Sequence, residues 1–163
     1  MDVIAELRDI VGDAHVLTGA DAAPFARDWT GAYEGEPLAA VRPGSTDEVA
    51  AVVKLAGRAG VPVVPVAGNT GLMGGTHAPG RIALSLERMN RIREVRAPSR
   101  LAVVEAGVVL SQLHEAVEAE DLVFPLTFGA RGSARIGGVL GTNAGGSNVL
   151  RYGNTRALCL GLE

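Results

Sequence analysis

Two glycine-rich clusters contain the residues whose types and spacing could bind a ligand. The first, "GNTGLMGG", spans residues 68–75, has no charge, and follows the apolar run "VPVV". The second lies in residues 125–153, where glycine is most frequent between Gly129 and Gly146. Glycine lets a backbone approach a ligand closely, and successive amides in such turns bind anions without a charged side chain. The first cluster favours a phosphate-containing ligand over a plain surface turn, which would need fewer glycines. Two such loops would suit an elongated ligand between two subdomains, one loop holding a diphosphate and the other passing along a flat ring.

The distribution of charge supports this interpretation. No Asp or Glu occurs from Val49 to Leu86 or from Leu122 to Leu162, and each of these stretches contains one cluster. A nearby carboxylate would oppose a bound phosphate, so the pattern favours an anion site, although glycine-rich loops also carry few charges in general. The net charge of −3 and the absence of a basic tract with interleaved aromatic residues argue against a nucleic-acid partner.

The spacing of the first cluster excludes two common nucleotide motifs. A P-loop requires Gly-Lys-Ser/Thr, and Lys54 is the only lysine in the chain. The dinucleotide fingerprint requires Gly-x-Gly-x-x-Gly at the start of a helix. Here the pattern is Gly-x-x-Gly-x-x-Gly-Gly, and the following "THAPGRIALSL" predicts a turn and a strand.

Hydrophobic periodicity predicts an α+β fold built from two similar units. Ser45 and Glu48 have the spacing of a capping box, and Gly60 is placed to end the helix that they begin. Each unit is predicted to run strand, helix, strand and glycine-rich loop. The predicted helices cover residues 1–17, 45–60 and 109–120, with a short one inside 132–146. The predicted extended segments are 37–43, 61–68, 81–90, 91–95, 100–107, 122–126 and 157–163.

Several segments in order resemble a known family. "PVVPVAGNTGLMGG", "LSLERMNRI", "VEAGVVL", "FPLTFGARGSARIGG" and "TNAGGSNVLRYG" are similar to the FAD-binding domain of the vanillyl-alcohol-oxidase (PCMH-type) flavoproteins, and most similar to the D-2-hydroxyacid dehydrogenases. The resemblance runs from Pro37 to Glu163. It implies two α/β subdomains, 37–96 and 97–163, with FAD between them, after an N-terminal helix and connector (1–36). It also implies that the second subdomain is incomplete and that the natural protein continues.

The resemblance also assigns cofactor-binding residues. The first cluster would line the FAD diphosphate, the segment from Pro125 would follow the ribityl chain, diphosphate and ring, and the segment from Asn143 would lie near the flavin. The residues implied are Gly68, Asn69, Thr70, Gly71, Gly74, Gly75, Pro125, Gly129, Ala130, Gly132, Ser133, Ile136, Gly137, Asn143, Ala144, Gly145 and Gly146.

In such enzymes FAD takes a hydride from the α-carbon of a D-2-hydroxyacid and passes electrons to a separate acceptor. Covalent members of the wider group have a histidine in the first loop, and "GNTG" has none, so we expect non-covalent FAD. The catalytic residues and any metal ligands of the family are expected beyond Glu163, and none is assigned in this chain. Two alternatives stay open: an FAD-binding or nucleotide-binding module without activity, and an alcohol or sugar oxidase of the same fold.

The remaining expectations concern location and single residues. One cysteine, no bilayer-length apolar run and no secretory signal favour a cytoplasmic protein; peripheral membrane attachment and homodimerisation stay open. We expect Cys159 to be a buried core thiol and Trp29 to pack the connector onto the domain. Arg131 and Arg135 either neutralise phosphate or are solvated.

Overall fold

The computed structural model describes residues 2–163, which form two compact units, one ending at Met89 and the other running from Asn90 to Glu163. The helices are α1 Val3–Val11, α2 Thr46–Ala59, α3 Leu110–Glu118, α4 Ile136–Gly141 and α5 Val149–Tyr152. The strands are β1 Val16–Leu17, β2 Ala39–Val41, β3 Val63–Val66, β4 Ile82–Ser85, β5 Ile92–Arg96 and β6 Leu101–Val104. Within residues 2–163, no helix is both long enough and apolar enough to cross a membrane.

The first unit is a four-stranded sheet in the order β1-β2-β4-β3. Strands β2, β4 and β3 are parallel, and β1 joins β2 antiparallel. One face of the sheet packs against apolar side chains of α1 and α2, including Leu7 and Leu55. On the other face, Ala40 and Ala83 pack with Ala22 of the 3₁₀ segment Gly19–Phe25. Both faces are therefore covered, which explains why β2 and β4 are buried along their whole length.

Helix α2 confirms the predicted start and stop signals. The Ser45 hydroxyl accepts a hydrogen bond from the Glu48 amide at 3.1 Å, and the Glu48 carboxylate accepts one from the Gly44 amide at 2.7 Å. At the other end, Gly60 adopts φ 66°, a left-handed conformation that glycine tolerates without strain. The next element is β3, an edge strand that tolerates Pro65 because proline cannot donate to a neighbouring strand.

The second unit is built on the antiparallel hairpin of β5 and β6. Helix α3 buries Leu110, Leu113 and Val117, the apolar positions that its periodicity predicts. These side chains form a core with Ile136 and Val139 of α4. The core thus fixes the short helix in the middle of the second glycine-rich segment.

Three predicted elements are corrected. The first helix ends at Val11 instead of residue 17, because Gly12 has φ 87° and Val16–Leu17 pairs as a strand. Residues 122–126 and 157–163 are not strands, so the second unit does not repeat the order of the first. An extended apolar run becomes a strand only when another strand pairs with its backbone, and neither run has such a partner among the described residues.

Candidate functional site

The first glycine cluster is a loop at the carboxyl end of β3, where ligands bind in parallel sheets. It contains Gly68, Asn69, Thr70, Gly71, Gly74 and Gly75. Among the described residues, no group accepts a hydrogen bond from any backbone N–H of residues 68–76. The loop is exposed or half-buried throughout, so this continuous run of donors with no partner in the described chain can be reached by an anion.

The glycines of this loop differ in what surrounds them. A Cβ atom built on Gly71 or Gly75 has no neighbour within 4 Å, whereas one on Gly74 would lie 2.9 Å from the ring of Tyr33. Internal packing therefore explains the absence of a side chain at Gly74. It does not explain Gly71 and Gly75, where the open space matches a ligand lying against the backbone.

The second cluster begins with the 3₁₀ turn Gly129–Gly132, which contains Ala130. In the part of the chain that the structure describes, the N–H groups of Gly129 and Ala130 find no backbone acceptor. Cβ atoms on Gly129 and Gly132 would also meet open space. This turn therefore shares two properties with the first loop: amides without a backbone partner and open space at its glycines.

The residues that follow this turn form hydrogen bonds and close contacts within the chain. Ser133 donates its amide to the Ala130 carbonyl at 2.9 Å, and buried Ile136 donates to Val108 at 2.9 Å. Gly137 donates its amide to the Ala106 carbonyl at 2.8 Å, and a Cβ there would lie 2.9 Å from the Cβ of Ala106. Close packing against the loop after β6 thus accounts for Gly137.

The end of the second cluster, residues 143–146, is also tied to its surroundings. Asn143 has φ 51°, and its side-chain oxygen accepts the Arg156 amide at 3.1 Å. The Ala144 carbonyl accepts both the amide and the hydroxyl of buried Thr155, at 3.0 and 2.6 Å.

Two glycines and a proline complete this segment. A Cβ on Gly146 would overlap the Thr127 carbonyl oxygen, and one on Gly145 would lie 3.1 Å from the Asn154 side-chain oxygen. The Pro125 carbonyl accepts the side-chain amide of Asn148 at 3.0 Å. These contacts give the 125–148 segment a defined shape, and the cofactor roles of its residues stay predictions.

Arg131 and Arg135, the two arginines named for phosphate, differ in their contacts. The Arg135 guanidinium donates to the Gly107 carbonyl at 2.7 Å, so it supports the backbone. Arg131 is exposed and lines a cleft of about 280 Å³ beside α3. His114, on another wall of this cleft, donates its Nε2 hydrogen to the Leu126 carbonyl at 2.8 Å. Arg131 therefore has the freer side chain for an anion.

Sequence reasoning missed a buried ion pair beside this segment. The Glu105 side chain is 1% exposed, and its Oε1 accepts from Nε and Nη2 of Arg91 at 3.0 and 2.8 Å. Hydrogen bonds from Arg91 hold the pKa of Glu105 below its usual value. Glu105 directly precedes Ala106, whose carbonyl holds Gly137. A charged residue in the apolar run "LAVVEAGVV" was the signal that could have revealed this pair.

Two single-residue expectations are wrong. Trp29 is 71% exposed and does not pack the connector onto the domain. Cys159 is only half-buried, in a segment where Leu160 and Leu162 are each 81% exposed. Among the described residues, no group of three or more His, Cys, Asp or Glu could hold a metal ion.

Comparison with known proteins gives one family match and several relatives. A family described as "FAD binding domain" matches residues 37–163. The D-2-hydroxyglutarate dehydrogenase of Xanthomonas citri pv. viticola is 48% identical over 145 residues, covering 88% of this chain and 31% of that protein. The dehydrogenase of the same name from Stutzerimonas stutzeri is 40% identical over 163 residues, covering 99% of this chain and 35% of that protein. The chain spans about a third of the length of these curated relatives.

The fold also matches solved structures. An alkyldihydroxyacetonephosphate synthase superimposes with a TM-score of 0.84 at 19% identity, covering 98% of this chain and 32% of that one. At this level of identity the match supports the mixed α+β fold only.

Proposed function

Because the chain belongs to the FAD-binding domain family, we propose that it binds FAD without a covalent bond and that the glycine loop at residues 68–75 holds the diphosphate. We further propose that the chain is the FAD-binding part of a flavoenzyme that oxidises a D-2-hydroxyacid to the 2-oxoacid. Bound FAD would supply the hydride acceptor for this reaction. The 48% and 40% identical relatives, both named D-2-hydroxyglutarate dehydrogenase, favour 2-hydroxyglutarate within this substrate class. Their names also favour a separate electron acceptor.

The run of unused amides at residues 68–76 is the observation that carries the proposal. These N–H groups donate to diphosphate oxygens, and the missing side chains at Gly71 and Gly75 let the backbone come within hydrogen-bond distance. No acidic residue occurs between Val49 and Leu86, so no carboxylate from that stretch opposes the diphosphate. In the second unit, Gly129 and Ala130 offer further free amides. The chain's contribution is binding and orientation, made mainly by backbone.

The absence of histidine from "GNTG" supports non-covalent binding. His77, the nearest histidine after this sequence, packs against Tyr33 with ring centroids 5.8 Å apart and the ring planes tilted by 56°. Its ring is therefore already packed against another side chain of the same unit.

FAD titration of the purified chain tests the proposal, with flavin fluorescence and calorimetry as readouts. Gly71→Val fills the open space with a side chain, and φ of Gly71 lies outside the left-handed region, so the fold should survive. We expect this variant to lose at least about tenfold in affinity, since a displaced diphosphate would give up several charge-assisted hydrogen bonds.

Gly57→Val is the matched control. Gly57 is exposed in α2, also has no described atom within 4 Å of its Cβ position, and precedes β3, whereas the loop follows β3. A wild-type chain that binds no FAD at about 1 mM would contradict the proposal.

The proposed oxidation of a D-2-hydroxyacid needs a separate assay, on the natural protein that carries this sequence. Dye reduction with a panel of D-2-hydroxyacids, alcohols and sugars should give the highest kcat/KM with a D-2-hydroxyacid. Activity on sugars or alcohols alone would instead support an oxidase of the same fold. FAD binding without any such activity would support a binding module.

A further inference from the structure

Residues 26–35, in the predicted irregular connector, form a small hairpin that we call the connector hairpin. Its strands meet through the Asp28 amide, which donates to Tyr33 at 3.1 Å, and the Gly35 amide, which donates to Ala26 at 2.8 Å. Asp28 is 6% exposed, and its carboxylate accepts hydrogen bonds from the Thr30 hydroxyl at 2.7 Å and the Tyr33 amide at 3.3 Å. The Thr30 hydroxyl holds the pKa of Asp28 below its usual value. The hairpin therefore has a turn that keeps its shape at neutral pH.

The connector hairpin touches the first glycine loop at both of the loop's ends. At the start, the side-chain amide of Asn69 donates to the Arg27 carbonyl at 3.0 Å. At the far end, the Tyr33 ring lies against Gly74 and packs at a tilted angle against the His77 ring. The loop is also closed across its base, because the Thr76 hydroxyl donates to the Asn69 side-chain oxygen at 2.6 Å.

These contacts matter because the loop has few hydrogen bonds of its own, so contacts from outside it can restrict its shape. None of its amides from residue 68 to 76 bonds to another part of the described chain. Asn69 also adopts φ 48°, a left-handed conformation that asparagine tolerates better than most residues, and its side chain bonds to Arg27 and Thr76 in that conformation. The hairpin supplies contacts from outside the loop, and the amides of the loop stay free for a ligand.

We propose that the connector hairpin is a positioning element that fixes the glycine loop in its phosphate-binding shape before FAD arrives. This inference rests on the proposed function. It gives Tyr33 and Asn69 indirect roles: Tyr33 blocks movement at Gly74, and Asn69 ties the loop to Arg27. A loop ordered in advance loses less entropy on binding, so loss of the hairpin contacts should appear as weaker affinity.

Backbone ¹⁵N order parameters without FAD, together with the FAD Kd, test the proposal on the whole chain. Tyr33→Ala removes the ring from Gly74 and His77, and Thr76→Val removes one hydrogen bond with little change in size. For Tyr33→Ala we expect order parameters in residues 69–76 to fall from about 0.85 to below about 0.6. We expect its Kd to rise about tenfold. Thr76→Val should shift both quantities in the same direction by a smaller amount.

Two further variants separate positioning from other effects. Tyr33→Phe keeps the ring and should restore both wild-type values. Trp29→Ala removes an aromatic side chain from the same hairpin at a site that is 71% exposed, and it is the matched control. If Tyr33→Ala does not fold, Tyr33→Leu carries the test, because it keeps an apolar side chain in the hairpin and removes the ring from Gly74 and His77.

The outcomes are distinguishable. If wild type binds FAD but Tyr33→Ala and Thr76→Val keep its order parameters, the loop does not need the hairpin and the inference is wrong. It is also wrong if the order parameters fall while Kd stays constant. If the wild-type chain does not bind FAD, the proposed function fails and the positioning role falls with it.

Discussion

Replacing Arg91 with methionine removes the guanidinium that neutralises the buried Glu105 carboxylate. The carboxylate would keep the Arg91 backbone amide at 2.9 Å and the guanidinium of Arg93 at 3.5 Å. It would lose two charge-assisted hydrogen bonds, at 3.0 and 2.8 Å. Breaking a buried ion pair by removing one partner typically costs about 3–5 kcal/mol. Because the Arg91 side chain is 74% exposed and the other donors remain, we expect a loss of about 2–3 kcal/mol.

Urea unfolding followed by circular dichroism at pH 7 measures this loss directly. A thermal scan should show Tm lower by about 4–12 °C, since each kcal/mol shifts a domain of this size by about 2–4 °C. Arg81→Met is the matched control, because Arg81 is exposed and the structure shows no ion pair for its guanidinium among the described residues. The control should change stability by no more than about 0.5 kcal/mol.

The pH dependence gives an independent test with a defined sign. The folded-state pKa of Glu105 lies below its ordinary value of 4.5, so the unfolded chain binds a proton at a higher pH than the folded one. Its contribution to stability is therefore present above pH 4.5 and lost as the pH falls through the folded pKa. Arg91→Met should weaken this dependence. If Arg91→Met unfolds at the same urea concentration as Arg81→Met and loses stability at low pH as the wild type does, the Arg91–Glu105 ion pair does not stabilise the fold.

Two further predictions follow from the second glycine segment and the cofactor. Gly146→Ala should lower the unfolding free energy by about 1–3 kcal/mol in urea titrations, because its Cβ would overlap the Thr127 carbonyl oxygen. Gly132→Ala is the control: its Cβ would meet open space, so the unfolding free energy should change by less than about 0.5 kcal/mol. Acid precipitation of the FAD-loaded chain should leave all flavin absorbance in the supernatant, and flavin that stays in the pellet after washing would contradict non-covalent binding.

The sequence predicted the elements whose signals are local. Helix α2 follows from a serine cap, a glycine stop and apolar residues at helical spacing, all within sixteen residues of one another. Helix α3 follows from Leu110, Leu113 and Val117, which the structure buries. Such signals depend on neighbours along the chain, so the sequence contains all of the relevant information.

The two strands that the sequence predicted wrongly would need pairing partners distant in sequence. "LVFPL" and "ALCLGLE" have strand-like composition, but a strand also requires a second backbone at the right distance, and composition does not encode that. The connector hairpin was missed although its signals are local. Its turn is stabilised by the Asp28 carboxylate and by Gly31 at φ 70°, which are turn signals that can be recognised in "RDWTGAYEG".

The glycines of the candidate site show most clearly where sequence reasoning ends. From composition alone, Gly71, Gly74, Gly137 and Gly146 have the same explanation: each lets the backbone approach a ligand. The structure separates them. The Tyr33 ring, the Cβ of Ala106 and the Thr127 carbonyl oxygen exclude a side chain at Gly74, Gly137 and Gly146 respectively, whereas no described residue excludes one at Gly71. An internal packing reason does not remove a glycine from the cofactor site, but it removes that glycine as evidence for one. The case for a bound diphosphate therefore depends on the positions where the protein leaves space and hydrogen-bond donors unused, chiefly Gly71 and Gly75 in a loop whose amides bond to nothing else in the described chain.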